Sequence, residues 1–187
     1  MPTYGVMLLF VYTYFGTMYA HRFWSIVAPV FLFSFLIPAL LIVMLYRMGL
    51  VSDLSIKVRR QRFIPYMITL LSYGAMLFFY YRMRMPTWFL MMIAAPIAIV
   101  IIAALITLAW KISAHMFGIG GLIGGAMSVS YFVERSNPYY MFMGLFVLAG
   151  LIGSSRLILK HHSLAQVNIG FLLGFIISFL FVWLGVR

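Results

Sequence analysis

The chain contains no cysteine, and its only carboxylates are Asp53 and Glu134. Without cysteine there is no disulfide, no thiolate metal site and no cysteine nucleophile. Two carboxylates do not build an Asp-rich cation cage, and a paired-carboxylate hydrolase would need both of them in one site. Charge of either sign is scarce: 8% of the 187 residues are charged, against about 25% in soluble domains. Polar linkers, low-complexity tracts and internal repeats are also missing, which leaves a single domain over residues 1–187.

Apolar residues make up 66% of the chain. A water-soluble fold cannot hide that much apolar surface, so a bilayer has to cover it. The runs are continuous, with no two-residue alternation, which favours helices over a β-barrel. Seven stretches are predicted as spans: Thr3–Ala20, Trp24–Tyr46, Ile64–Tyr81, Pro86–Trp110, Ile112–Val133, Pro138–Gly153 and Ala165–Val186. The expected fold is an all-α polytopic membrane protein, a bundle of six to seven transmembrane helices. The sixth stretch is short and can lengthen into Ser154 and Ser155. The first lacks a basic leader and a small-residue cleavage site, and reads as a retained span. Gly118-Ile-Gly-Gly-Leu-Ile-Gly-Gly125 lies inside an apolar span with no preceding strand. It is a helix-packing surface rather than a nucleotide loop, with Gly170 and Gly174 making the same kind of contact.

Thirteen Lys and Arg against the two acids give a net charge of +11. In a membrane protein this excess implies an anionic partner or an anionic lipid surface. Nucleic acid is not expected, because no solvated basic domain exists to carry it. With seven spans, the loops after the second, fourth and sixth share one membrane face. They gather Arg47, Lys57, Arg59, Arg60, Arg62, Lys111, Arg156 and Lys160, together with His115, His161 and His162. Ionisable groups at membrane depth mark function by default. Arg and Lys suit phosphate oxygens, one imidazole can attack phosphorus, and a second can protonate the leaving oxygen. Backbone N–H groups near Ser113–His115 can add a helix-terminus anion site. Arg59 and Arg60 equally suit anionic headgroups, and His21 beside Arg22 reads as interfacial.

Three segments carry a family resemblance: Lys57-Val-Arg-Arg-Gln-Arg-Phe-Ile-Pro65, Lys111-Ile-Ser-Ala-His115, and Ser155-Arg156 followed after five residues by His162 and after three more by Gln166. Their order and spacing resemble the type 2 phosphatidic acid phosphatase superfamily of membrane lipid phosphatases. The third motif fits best, with Gln166 where that family has Asp, as in a small bacterial branch. In the second, Ile112 and Ala114 replace Pro and Gly. In the first, Ile64 replaces the Arg, and Arg62 can stand in for it. The likeness covers a core of about residues 57–174.

The resemblance implies a metal-independent, cofactor-free phosphatase. His162 would be the nucleophile and His115 the general acid, with Gln166 orienting the His162 ring. Lys57, Arg62, Lys111, Ser113 and Arg156 would bind the phosphate. The implied substrate is a lipid phosphate or polyprenyl pyrophosphate drawn from the surrounding membrane lipids. A second reading is a binding or transport protein that holds a lipid phosphate without cleaving it. The implied location is a bacterial inner membrane, with the site toward the periplasm.

Overall fold

The computed structural model describes residues 2–49, 63–110, 112–160 and 162–187. The protein is an all-α polytopic membrane protein. Its helices are α1 (Pro2–Tyr12), α2 (Tyr14–Tyr19), α3 (Phe23–Phe31), α4 (Ile37–Arg47), α5 (Phe63–Arg82), α6 (Thr87–Ala109), α7 (Ala114–Ser128), α8 (Tyr139–Ile158) and α9 (Leu164–Val186). Among the described residues, six helical stretches are long and apolar enough to cross a bilayer.

The first predicted span is not one helix. The chain breaks at Thr13, whose backbone is extended (φ −131°, ψ 162°). Both the Thr13 N–H and its hydroxyl donate to the Leu9 carbonyl, at 3.2 and 2.6 Å. Gly16 then lies against the Phe10 carbonyl, a close approach that a Cβ would prevent. At 11 residues, α1 is about 16 Å long, roughly half the hydrocarbon thickness. The crossing helix begins instead at Tyr14 and runs 34 residues to Arg47 through α2, a tight turn at Ala20–Arg22, α3 and α4. At the other end of the chain, α8 continues beyond the predicted Gly153 to Ile158, carrying Arg156 in its last turn.

Between α3 and α4 the helix widens to π geometry over Leu32–Leu36, and the Ile37 N–H bonds back to Leu32. The next residue, Pro38, has no N–H to offer. The Phe33 carbonyl is therefore left without a donor from its own helix, and the Ser72 hydroxyl of α5 supplies one at 2.5 Å. An unpaired carbonyl at membrane depth costs several kcal/mol, so this bond ties α5 to the long first span. A second tie is the buried Tyr80, whose hydroxyl donates to the Ile26 carbonyl.

The centre of the bundle is α7. Over half of its crossing window is buried (56%), against 22–28% for the other spans. Gly120 and Gly124 lie against the Phe171 and Phe175 carbonyls of α9, and Gly174 against that of Phe117. Small residues let two backbones approach this closely in a membrane, where packing drives association in place of the hydrophobic effect. The Ser128 hydroxyl extends the row by donating to the Phe179 carbonyl at 2.9 Å. Phe15 and Phe89 stack with centroids 5.3 Å apart near the start of α6. There Glu134 accepts the Tyr14 N–H at 2.8 Å.

Candidate functional site

The opposite end of the bundle brings together the start of α7, the end of α8 and the start of α9. Ser113 is the N-cap of α7, and its extended backbone (φ −84°, ψ 102°) turns the chain into the helix. Its carbonyl accepts the Phe117 N–H at 3.0 Å and lies 3.1 Å from where a Cβ on Gly170 would stand. The glycine thus lets the first turn of α7 settle onto α9. Ser113 is fully buried, yet its hydroxyl makes no capping bond and has no hydrogen-bond partner among the described residues. His115 follows in the first helical turn, exposed at the end of the bundle.

Arg156 occupies the last turn of α8, and its buried Nε also lacks a partner among the described residues. The helix then ends through Lys160, which takes a left-handed conformation (φ 51°). The Lys160 N–H bonds to the Leu157 carbonyl at 2.9 Å. This tight reversal returns the chain to the same membrane face, so that Arg156 and His162 share it. Just beneath, a Cβ on Gly153 would stand 3.4 Å from Val167 and 3.6 Å from Met116. Met116 follows His115, Val167 follows Gln166, and Gly153 is one turn before Arg156. The three helices therefore touch directly below the three candidate side chains.

His162 precedes the N-cap of α9. Ser163 and Gln166 form a reciprocal capping box: the Gln166 N–H donates to the Ser163 hydroxyl at 3.4 Å, and the Ser163 N–H donates to Gln166 Oε1 at 3.1 Å. The same oxygen lies 3.2 Å from His162 Nδ1. A backbone N–H can only donate, so it fixes the amide oxygen, not the NH₂, at this point. The imidazole must then donate from Nδ1. In the neutral ring that leaves the lone pair on Nε2, the tautomer a nucleophilic imidazole requires.

Of the residues expected from the sequence, Ser113, His115, Arg156, His162 and Gln166 fall at this one end of the bundle. Lys57, Arg62 and Lys111, together with Arg59, Arg60 and His161, lie outside the described residues. Ser163 was not anticipated, although the spacing Ser163-Leu-Ala-Gln166 is a capping-box signature. Glu134, the one described carboxylate, sits at the far face on Tyr14.

Beneath the site, a cavity of about 250 Å³ runs between α7, α6, α5 and α1. It reaches Ala114, the neighbour of His115, at one end and Gly125 and Ser178 at the other.

Comparison with family models, with curated proteins and with solved structures gives no match to the chain.

Proposed function

We propose that the protein is a metal-independent membrane phosphatase that hydrolyses a lipid phosphate or pyrophosphate through a phosphohistidine, as its likeness to the type 2 phosphatidic acid phosphatases implies. The observation that carries this reading is the pair of buried donors without partners among the described residues, Ser113 Oγ and Arg156 Nε, at the helix ends that also hold His115 and His162. A buried unsatisfied donor costs about 1–3 kcal/mol, and an oxyanion is a partner that satisfies both. His162 Nε2 would attack phosphorus, forming an N–P bond as the P–O bond to the lipid breaks. His115 would give its proton to the departing oxygen. Water, deprotonated by His115, would then cleave the N–P bond and release phosphate and the free imidazole. With a pyrophosphate substrate, the leaving group is the lipid monophosphate.

Gln166 supports a second reading. It fixes the ring tautomer but carries no charge to offset a developing imidazolium, which suits a protein that holds a lipid phosphate without turning it over.

We place the site on the periplasmic side of a bacterial inner membrane. Once Lys57, Arg62, Lys111 and Arg156 are assigned to phosphate, the site face keeps Arg47, Arg59, Arg60 and Lys160. The opposite face has Arg22, Arg82, Arg84, Arg135 and Arg187, a margin of one cation toward the cytoplasm, and the resemblance decides the orientation, because members of that family commonly work on the outer leaflet.

A panel of lipid phosphates assayed for phosphate release in EDTA tests the enzyme, with His162→Ala as the control. Turnover that persists in EDTA and vanishes in His162→Ala is expected. Lipid phosphate binding without release identifies the carrier instead. Activity lost in EDTA and restored by Mg²⁺ refutes the histidine mechanism.

A further inference from the structure

The cavity under the site is almost wholly apolar. Among the described residues its lining has hydroxyls only at Tyr66, Tyr73 and Ser178 and no charged side chain. The pocket is partly open and, at about 250 Å³, roomier than a sealed apolar cavity of about 150 Å³ that takes up benzene. Its wall along α7 is stripped of side chains at Gly118, Gly121 and Gly125. From Ala114 to Gly125 it follows about 16 Å of helix, close to the depth of one leaflet of a hydrocarbon core about 30 Å thick. Its upper end reaches Ala114, the residue before His115. Its outer wall includes Pro2, Gly5 and Leu9 of α1, the helix too short to cross the bilayer.

We propose that this cavity takes one hydrocarbon chain of the lipid whose phosphate is held at His115, Arg156 and His162. The chain leaves the bilayer and lies inside the bundle, between the glycine side of α7 and α1. For the headgroup the proposal rests on the phosphatase reading; for the chain it rests on the cavity's depth, apolar lining and position. A chain here runs along the bundle axis as it would in its own leaflet, so entry requires no reversal of the lipid. Burial inside the protein adds contacts along its length, and the cavity's size then selects lipids by chain bulk.

Gly125 allows a direct perturbation. A Cβ there would meet Ser178 and Met92 only at ordinary contact distances, 3.8 and 3.9 Å. Leucine at this position therefore projects into the cavity, about 15 Å along α7 from His115.

The probe is hexadecyl phosphate with a diazirine at the chain terminus, photolysed with the full chain in phosphatidylcholine vesicles. Labelling is expected at Met92, Leu122 and Ser178. Gly125→Leu should cut it about tenfold, the loss produced by about 1.4 kcal/mol, while phosphate release from water-soluble butyl phosphate is unchanged. Labelling confined to lipid-facing residues of α8 such as Val147 and Leu151 overturns the proposal, and the unaltered protein alone decides this if Gly125→Leu does not fold. Hexadecanol bearing the same diazirine separates the two readings. Cavity labelling by the alcohol, with no lipid phosphate hydrolysed, leaves the chain site standing and removes the phosphatase. Hydrolysis without cavity labelling does the reverse.

Discussion

Gly124→Ala should destabilise the bundle and impair the site together. A Cβ at Gly124 overlaps the Phe175 carbonyl oxygen and stands 2.8 Å from both its carbon and its Cα. These are backbone atoms of a packed helix and cannot rotate away. Ordinary contact needs at least 3.4 Å, so α7 and α9 must separate by more than half an ångström. Overpacking of this kind costs about 1–3 kcal/mol, roughly a 5- to 150-fold fall in the ratio of folded to unfolded protein. Along each helix the contact lies the same distance from the site: His115 is nine residues before Gly124, and Gln166 nine before Phe175. Separation there changes the spacing of His115 from His162, so phosphate release should fall even in the folded fraction. Gly144→Ala is the matched control. Nothing lies within 4 Å of that position on α8, and alanine favours a helix by up to about 1 kcal/mol over glycine. Reversible unfolding in mixed micelles measures both variants. If they agree within about 0.5 kcal/mol, the scatter of neutral substitutions, the close α7–α9 approach is not what holds the bundle together.

Gln166→Leu removes the acceptor for both His162 Nδ1 and the Ser163 N–H; it should cost about 1 kcal/mol in helix capping and lower turnover. Gln166→Glu keeps the reach and adds charge beneath the imidazole, so its rate should equal or exceed that of the unaltered protein; equal rates in all three would show that this position does not orient the ring. His161→Ala should keep most phosphate release where His162→Ala loses it, and a reversal of the two would mean that the motif register is off by one. For orientation, green fluorescence from a reporter fused after Arg187 is expected, and alkaline phosphatase activity at that junction would invert the topology.

The spans were legible because hydropathy over about twenty residues outweighs local detail: four of the seven predicted stretches, the third, fourth, fifth and seventh, match their spans to within a few residues. The break at Thr13 was not. Thr and Gly are ordinary inside membrane helices, and the apolar run continues unbroken across the bend. The end of α8 was underread because Ser154, Ser155 and Arg156 lower the hydropathy, although they sit at the membrane surface, where a helix can end in polar residues. The grouping of His115, Arg156 and His162 on one face followed from counting crossings, since alternate loops share a side. The cavity was out of reach. It exists because α1 stops short and lies against the glycine side of α7, a tertiary outcome that no local pattern encodes.

The hydroxyl bridge between Ser72 and the Phe33 carbonyl bears on how the protein is made. The long first helix emerges from the ribosome carrying a carbonyl that its own helix cannot satisfy, because Pro38 has no hydrogen to give. The residue that satisfies it lies on the next helix and is synthesised later. Until α5 arrives, the first helix sits in lipid at a disadvantage of several kcal/mol, which favours holding it at the insertion machinery over early release. Docking of α5 against the first helix removes that cost. The proline and serine thereby set an order of assembly, in which the first helix is not a finished product until the second has docked.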